Sequence, residues 1–177
     1  MSTIVVYKSK YGATEAYARW IAEELGCDAV EMKKVKINDL LEYDKIVYGG
    51  GLYAEMIAGI ALITKNFDKL ADKKLAIFST GITPLDCREY YDDEVMKKNF
   101  KNGLPENAKV FNFMGKMILE EMNFADRTAI KMLKKLMSGK KNPSDMEKLL
   151  IELCETYGDF TDRNAISELV EYIRGGL

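Results

Sequence analysis

A chain of 177 residues with 47% hydrophobic and 31% charged side chains has the size and composition of one globular domain able to bury about two-thirds of its unfolded surface, which excludes a disordered chain. Its 26 basic and 28 acidic residues leave a formal charge of −2, so no global field recruits nucleic acid or an anionic membrane, and such a partner needs a local patch. Histidine is absent, which removes Ser-His and Cys-His nucleophilic catalysis and every histidine-ligated metal site.

In chain order, Thr3–Tyr7 (TIVVY) is a short β-branched run that predicts a strand covered on both faces. It follows Met-Ser directly, without the basic-then-apolar layout of a secretory leader. Between Ala13 and Leu25 the residues Tyr17, Ala18, Trp20, Ile21 and Leu25 recur at three- and four-residue spacings, the pattern of an amphipathic helix, and Gly26 supplies the stop. A second strand is predicted over Asp28–Met32 and a short helix over Ile37–Leu41. The strand Lys45–Tyr48 runs into Gly49-Gly50-Gly51, a helix covers about Ala58–Leu70, and the strand Lys74–Ser79 ends in Thr80-Gly81. A helix over Glu89–Phe100 and a fifth strand over Lys109–Phe113 follow. Strands alternating with helices predict an α/β fold, a doubly wound five-stranded parallel sheet with helices on both faces.

Beyond the fifth strand the pattern changes. Residues 116–158 predict helices and no strand, and a final helix spans about Asp162–Ile173. The segment is read as a helical insertion in a single domain covering residues 1–177. No apolar run approaches the roughly 20 residues of a membrane span. Cys27, Cys87 and Cys154 form no CxxC pair, which suits small hydrophobes in a reducing compartment, and a soluble, cytoplasmic protein is expected.

In a doubly wound sheet, ligands bind beyond the carboxyl ends of the strands, near the reversal of strand order. Three such ends carry unusual residues: the first delivers Ser9 to Thr14, the third the triple glycine, and the fourth Ser79 to Thr83. Ser9-Lys10-Tyr11-Gly12-Ala13-Thr14 joins a buried strand to a helix N-terminus, where unpaired amides and the helix dipole favour an anion, above all a phosphate. Ser9 and Thr14 offer hydroxyls, Gly12 lets the backbone close in, Lys10 adds charge, and Thr14 suits the helix cap. Competing motifs fail on spacing. There is no GxGxxG, Gly139-Lys140 has Lys134 where a P-loop needs glycine, and no cysteine is followed by arginine six residues later.

Written out, Val5 to Ile21 (VVYKSKYGATEAYARWI) resembles the flavodoxin signature: two aliphatics, an aromatic, a spacer, a hydroxyl-rich phosphate loop and a helix. The resemblance implies a flavodoxin-like fold that binds FMN, with Ser9, Lys10, Tyr11, Gly12, Ala13 and Thr14 at the phosphate. Gly50, Gly51, Leu52 and Tyr53 fall where the family's first flavin loop lies, with Tyr53 stacking on the ring, and Ser79, Thr80, Gly81, Ile82 and Thr83 match the second. One departure is Tyr11, where flavodoxins usually carry a small hydroxyl residue. In the family a peptide beside the ring flips on reduction; here the segment reads Tyr53-Ala54-Glu55. Positive φ at Ala54 would cost on the order of 1 kcal/mol, implying a lean toward two-electron chemistry. Gly115, Ala125-Asp126-Arg127, Ile130-Lys131, Lys134 and Ser138-Gly139 are similar to the flavodoxin-like menaquinone-dependent protoporphyrinogen oxidases.

These resemblances imply a cytoplasmic FMN protein that moves electrons as a redox carrier or oxidoreductase, with redox partner proteins or a quinone as partners. Two alternatives stand beside it, a quinone-linked dehydrogenase of the protoporphyrinogen oxidase type and a flavodoxin-fold binding module without turnover. Residues 124–141 hold six basic residues against one acid, whereas 142–177 hold eight acids against three bases. Ile130, Leu133 and Met137 share one face of the basic stretch. It is expected either to pack on the domain with its lysines solvated or paired to the acidic tail, or to make peripheral contact with anionic lipid.

Overall fold

The computed structural model describes residues 1–155 and 157–175, apart from the side chains of Asp145, Met146 and Leu150. The expected span 1–177 and insertion 116–158 thus include residues 156, 176 and 177, which lie outside the described residues. The elements are β1 (Thr3–Lys8), α1 (Ala13–Leu25), β2 (Asp28–Glu31), α2 (Ile37–Leu40), β3 (Lys45–Tyr53), β4 (Met56–Ile57), α3 (Ala61–Thr64) and β5 (Lys74–Gly81). They continue with α4 (Met96–Asn99), β6 (Ala108–Met114), β7 (Lys116–Met117), α5 (Phe124–Ser138), α6 (Asp145–Leu153), β8 (Gly158–Asp159) and α7 (Ser167–Arg174).

The main sheet runs β2-β1-β3-β5-β6, all parallel, with β4 antiparallel on β3. Alternate residues of each strand feed two cores. On one face Ile4, Val6, Ile46, Tyr48, Leu75 and Ile77 pack against Leu40, Ile63, Leu70, Tyr91 and Val95. On the other, Val5, Val47, Ala76, Phe78 and Phe113 meet Tyr17, Ala18 and Ile21 of α1 and Leu169, Val170 and Ile173 of α7. Each such fully buried aliphatic contributes about 1.5–3 kcal/mol. This is the expected doubly wound α/β fold, covered on both faces. The chain leaves β1 toward β2 on one side and returns to β3 on the other, so the order reverses between β1 and β3.

Four local expectations are corrected. First, the sheet has a sixth strand, because a two-residue turn at Ala54-Glu55 folds the chain back so that Leu52 pairs with Ile57 and Tyr53 with Met56. Second, no single helix covers 58–70. Ala58 is tied to β3 by its amide to Gly51 O (2.9 Å) and by its carbonyl accepting from the Tyr48 phenol (2.8 Å). Farther along, α3 ends at Thr64 and a separate 3-10 turn holds Phe67–Leu70, with the Asn66 side chain donating to Leu62 O between them. Third, the helix expected over Glu89–Phe100 is present but irregular: Glu89–Val95 is π-helical, and Met96–Asn99, α4, is α-helical. Fourth, the segment expected to lack strands holds β7 and β8, paired antiparallel through Lys116–Asp159 and Met117–Gly158.

That pair draws the two ends of the insertion together. The Tyr17 phenol reinforces the closure by donating to Met114 O and accepting from Asp162 N, each at 2.9 Å. Among the described residues no helix is long and apolar enough to cross a membrane. In α5, Lys134 pairs with Glu155, and Lys140, just beyond it, with Glu147, as one of the two expectations for the basic stretch has it. The helix nevertheless leaves Phe124, Met132 and Leu136 exposed. Of the cysteines, Cys154 is buried and Cys27 and Cys87 are partly so; desolvation pushes the Cys27 thiol up to about 11.

Candidate functional site

The carboxyl ends of β1, β3 and β5 open on one cavity of about 250 Å³, at the reversal of strand order. Its wall includes Ser9, Lys10, Tyr11, Ala13 and Thr14 from the first loop, Gly51, Leu52 and Tyr53 from the second, and Thr80, Gly81 and Ile82 from the third. Three loops far apart in sequence therefore converge. The remaining candidates lie beside the cavity. Gly12 sits within the first loop, and Ser79 turns to β6, bonded to the Asn112 side chain at 2.6 Å. Thr83 lines an adjoining cavity. Gly50 lies beneath the hairpin, where a Cβ would come within 2.6 Å of Ala58 O and 2.7 Å of the Ile57 side chain, so its smallness serves the packing of β4.

The first loop is held from within. Gly12 adopts φ 89° and is the N-cap of α1, a left-handed conformation that glycine takes at little cost. The Ser9 hydroxyl accepts from Gly12 N at 3.1 Å. Thr14, expected at the cap, instead lies inside the first turn and shares a hydrogen bond with the Thr80 hydroxyl at 2.7 Å, joining the first loop to the third. The first-turn amides of α1 have no intrahelical acceptor and, with the dipole, form an anion-binding end.

Two ammonium groups reach this end. Lys10 bonds Asp126 Oδ2 at 2.5 Å, and the Tyr11 phenol donates to the same oxygen. These two donors, Lys10 foremost, hold the Asp126 carboxyl below the usual carboxylate range, and the same contact raises the Lys10 pKa. Lys116 Nζ lies 3.6 Å from where a Cβ would project at Gly12 and pairs with Glu121 at 2.8 Å. Lys116, Met117 and Met122 escaped the sequence reading, and Gly115 and Ile130 entered it only through the family resemblance and not as site residues; these five complete the wall with Ala54. All five lie in the segment after β6, and no spacing rule aims it at the first loop. The one usable signal was Gly115-Lys116, directly beyond a strand end.

Tyr53 stands at the mouth, partly exposed, with Lys10 Nζ 5.8 Å from its ring centre. Burial of its hydroxyl pushes its pKa up to about 12, so it is a neutral, flat surface at neutral pH. The turn beside it is strained: Ala54 has φ 46° and Glu55 φ 61°, values that side-chain-bearing residues adopt at a cost. A clamp holds them there. Buried Asn99 accepts from Ile57 N at 2.8 Å and donates to Glu55 O at 2.7 Å, while Lys98 pairs with the Glu55 carboxylate. Positive φ at Ala54 is thus built into the turn.

The flavodoxin domain family model matches residues 4–144. An uncharacterised protein of Methanocaldococcus jannaschii is 36% identical over 87 residues, 48% of this chain and 57% of that protein, so the chain spans little more than half the length of this curated relative. Among solved structures, a flavodoxin from the domain Archaea is 18% identical with a TM-score of 0.40, covering 88% of this chain and 97% of that one. The WrbA-like flavodoxin of Agrobacterium tumefaciens is 18% identical with a TM-score of 0.46, over 88% and 94% of the two chains. With the family match extending from β1 through α5 into the start of the following segment, the chain belongs to the flavodoxin domain family.

Proposed function

We propose that this chain binds FMN in the cavity at the ends of β1, β3 and β5 and acts in electron transfer. The observation that carries this reading is the convergence of a helix-N-terminal loop, two lysines and two ring-flanking loops on one cavity. The donor set fits a phosphate ester: the amides of α1, the Ser9 and Thr14 hydroxyls, Lys10 and Lys116 supply neutral and cationic donors at one end. At the other end Leu52, Tyr53 and Ile82 offer apolar and aromatic surface to a flat ring. Bound there, the flavin would supply the redox chemistry, while the protein sets its orientation and surroundings.

Electrons would pass to a redox partner protein or a quinone. Met117, Met122 and Ile130 from the segment after β6 also line the cavity, and this favours a second reading, an oxidoreductase with a small acceptor of the quinone-linked protoporphyrinogen oxidase type. Purification without added flavin tests the assignment. A yellow protein releasing FMN, identified by chromatography and mass, is expected; a colourless protein that takes up no FMN on addition would contradict it.

A further inference from the structure

The two edge strands of the main sheet, β2 and β6, are built differently. β2 is four residues long and carries Asp28 and Glu31 at its ends, a short, charged edge of the kind that resists pairing. β6 is seven residues long and has no proline, and its one charged side chain, Lys109, is turned onto Glu168 at 2.7 Å. A groove of about 400 Å³ runs along it, with Val110 to Phe113 on its floor, Arg88 and Asp92 on one side and Glu168 of α7 on the other.

The pairing of β6 with β5 decides which of its backbone groups are open. Leu75 N donates to Asn107 O at 2.9 Å and Gly115 N to Gly81 O at 2.6 Å, and the register between these points is unbroken. The N–H and C=O of one residue point to the same side of a strand, and those of the next point to the other. The odd-numbered residues of β6 therefore face β5 and the even-numbered ones face outward. At the two ends, Ala108 N is used by Pro105 O and Met114 O by the Tyr17 phenol. Between them, Val110 and Asn112 keep outward N–H and C=O groups with no hydrogen-bond partner among the described residues.

We propose that β6 is a self-pairing edge, on which a second copy of this chain lays its own β6 antiparallel about a two-fold axis through Phe111. Val110 of each copy then exchanges both backbone hydrogen bonds with Asn112 of the other, a register that matches open groups to open groups. The charges select the same register. The chain leaves β5 at its carboxyl end and returns to the amino end of β6, so Arg88 lies toward Asn112 and Asp92, one turn on, toward Val110. Neither side chain has an ion-pair partner among the described residues. The two-fold reverses their order in the second copy and sets Arg88 of each against Asp92 of the other. Antiparallel pairing also points the carboxyl ends of the two sheets in opposite directions, which leaves both candidate flavin cavities open, and the pairing does not depend on what fills them.

Sedimentation equilibrium of the whole protein over a wide concentration range tests the proposal. The unsubstituted chain should pass from monomer to dimer as concentration rises. Symmetry applies each substitution twice, so Arg88→Asp and Asp92→Arg should each weaken the dimer about tenfold, and the two combined should restore it to within about threefold. Amide hydrogen exchange of the unsubstituted protein reads the register itself. The Val110 and Asn112 amides should become protected as concentration rises, whereas those of Phe111 and Phe113, bonded to β5, are protected throughout. A chain that stays monomeric at every concentration would overturn the proposal. So would a dimer that is indifferent to the single substitutions, is not restored in the double variant, or leaves the Val110 and Asn112 amides exchanging freely.

Discussion

Lys10 and Lys116 bring two positive charges to the N-terminus of α1, and each is engaged by a carboxylate, Asp126 and Glu121. A phosphate arriving at the loop therefore competes with carboxylates for the same ammonium groups. Asp126 sits against the loop through two donors and is held below its ordinary pKa of about 4. Its folded value being the lower, the contact's contribution to stability is complete above that unfolded value and fades as pH falls through the folded one. At neutral pH the carboxylate is charged and opposes a dianion. Between solvent-screened charges such an opposition is worth about 1 kcal/mol, so Asp126→Asn should tighten FMN about fivefold and leave riboflavin unchanged. Fluorescence titration of both flavins checks this; equal gains for both would mean that the carboxylate acts on loop geometry and not on the phosphate.

At the scale of elements, the hairpin β3-β4 is the part the sequence hid most completely. Two-residue turns with positive φ at both positions are normally written Asn-Gly or Asp-Gly, and here Ala54 and Glu55 fill them, so nothing in the local sequence announces a turn. The conformation is imposed from 42 and 44 residues away by Asn99. Asn99→Ala would leave the Ile57 amide and Glu55 carbonyl without these partners, at a cost of about 2–3 kcal/mol. For a chain of this length that lowers Tm by roughly 5–10 °C, measurable by calorimetry, and FMN should weaken with it. A shift under about 2 °C would show that the turn holds itself. The elements that were legible had a periodicity of their own. β1, α1 and β5 were predicted within two residues of their bounds because β-branched runs, a 3.6-residue stripe and Gly26 each act locally. The short strands β4, β7 and β8, two residues each, carry too few side chains for any period.

For the molecule as a whole, the parallel sheet fixes where the chemistry must be, and the segment after β6 modifies it. Converging loops at the β1/β3 reversal follow from topology, which is why the first-loop residues and Gly51 could be named from sequence pattern, while Leu52 and Tyr53 were named through the family resemblance. Lys116 and Met117 could not, and Ile130 was not named as a site residue, because the insertion reaches the site through long-range ties, among them the β7-β8 pair, the Tyr17 phenol and the contacts of Lys10 and Tyr11 with Asp126. On the reading proposed above, this assembled cavity recognises a flavin through its phosphate. Calorimetric titration of FMN and riboflavin into flavin-free protein, each repeated with Thr14→Ala, tests it most directly. FMN binding at least tenfold tighter than riboflavin, with the substitution eroding FMN alone, is the predicted result; equal affinities, equal losses, or no binding of either flavin would contradict it.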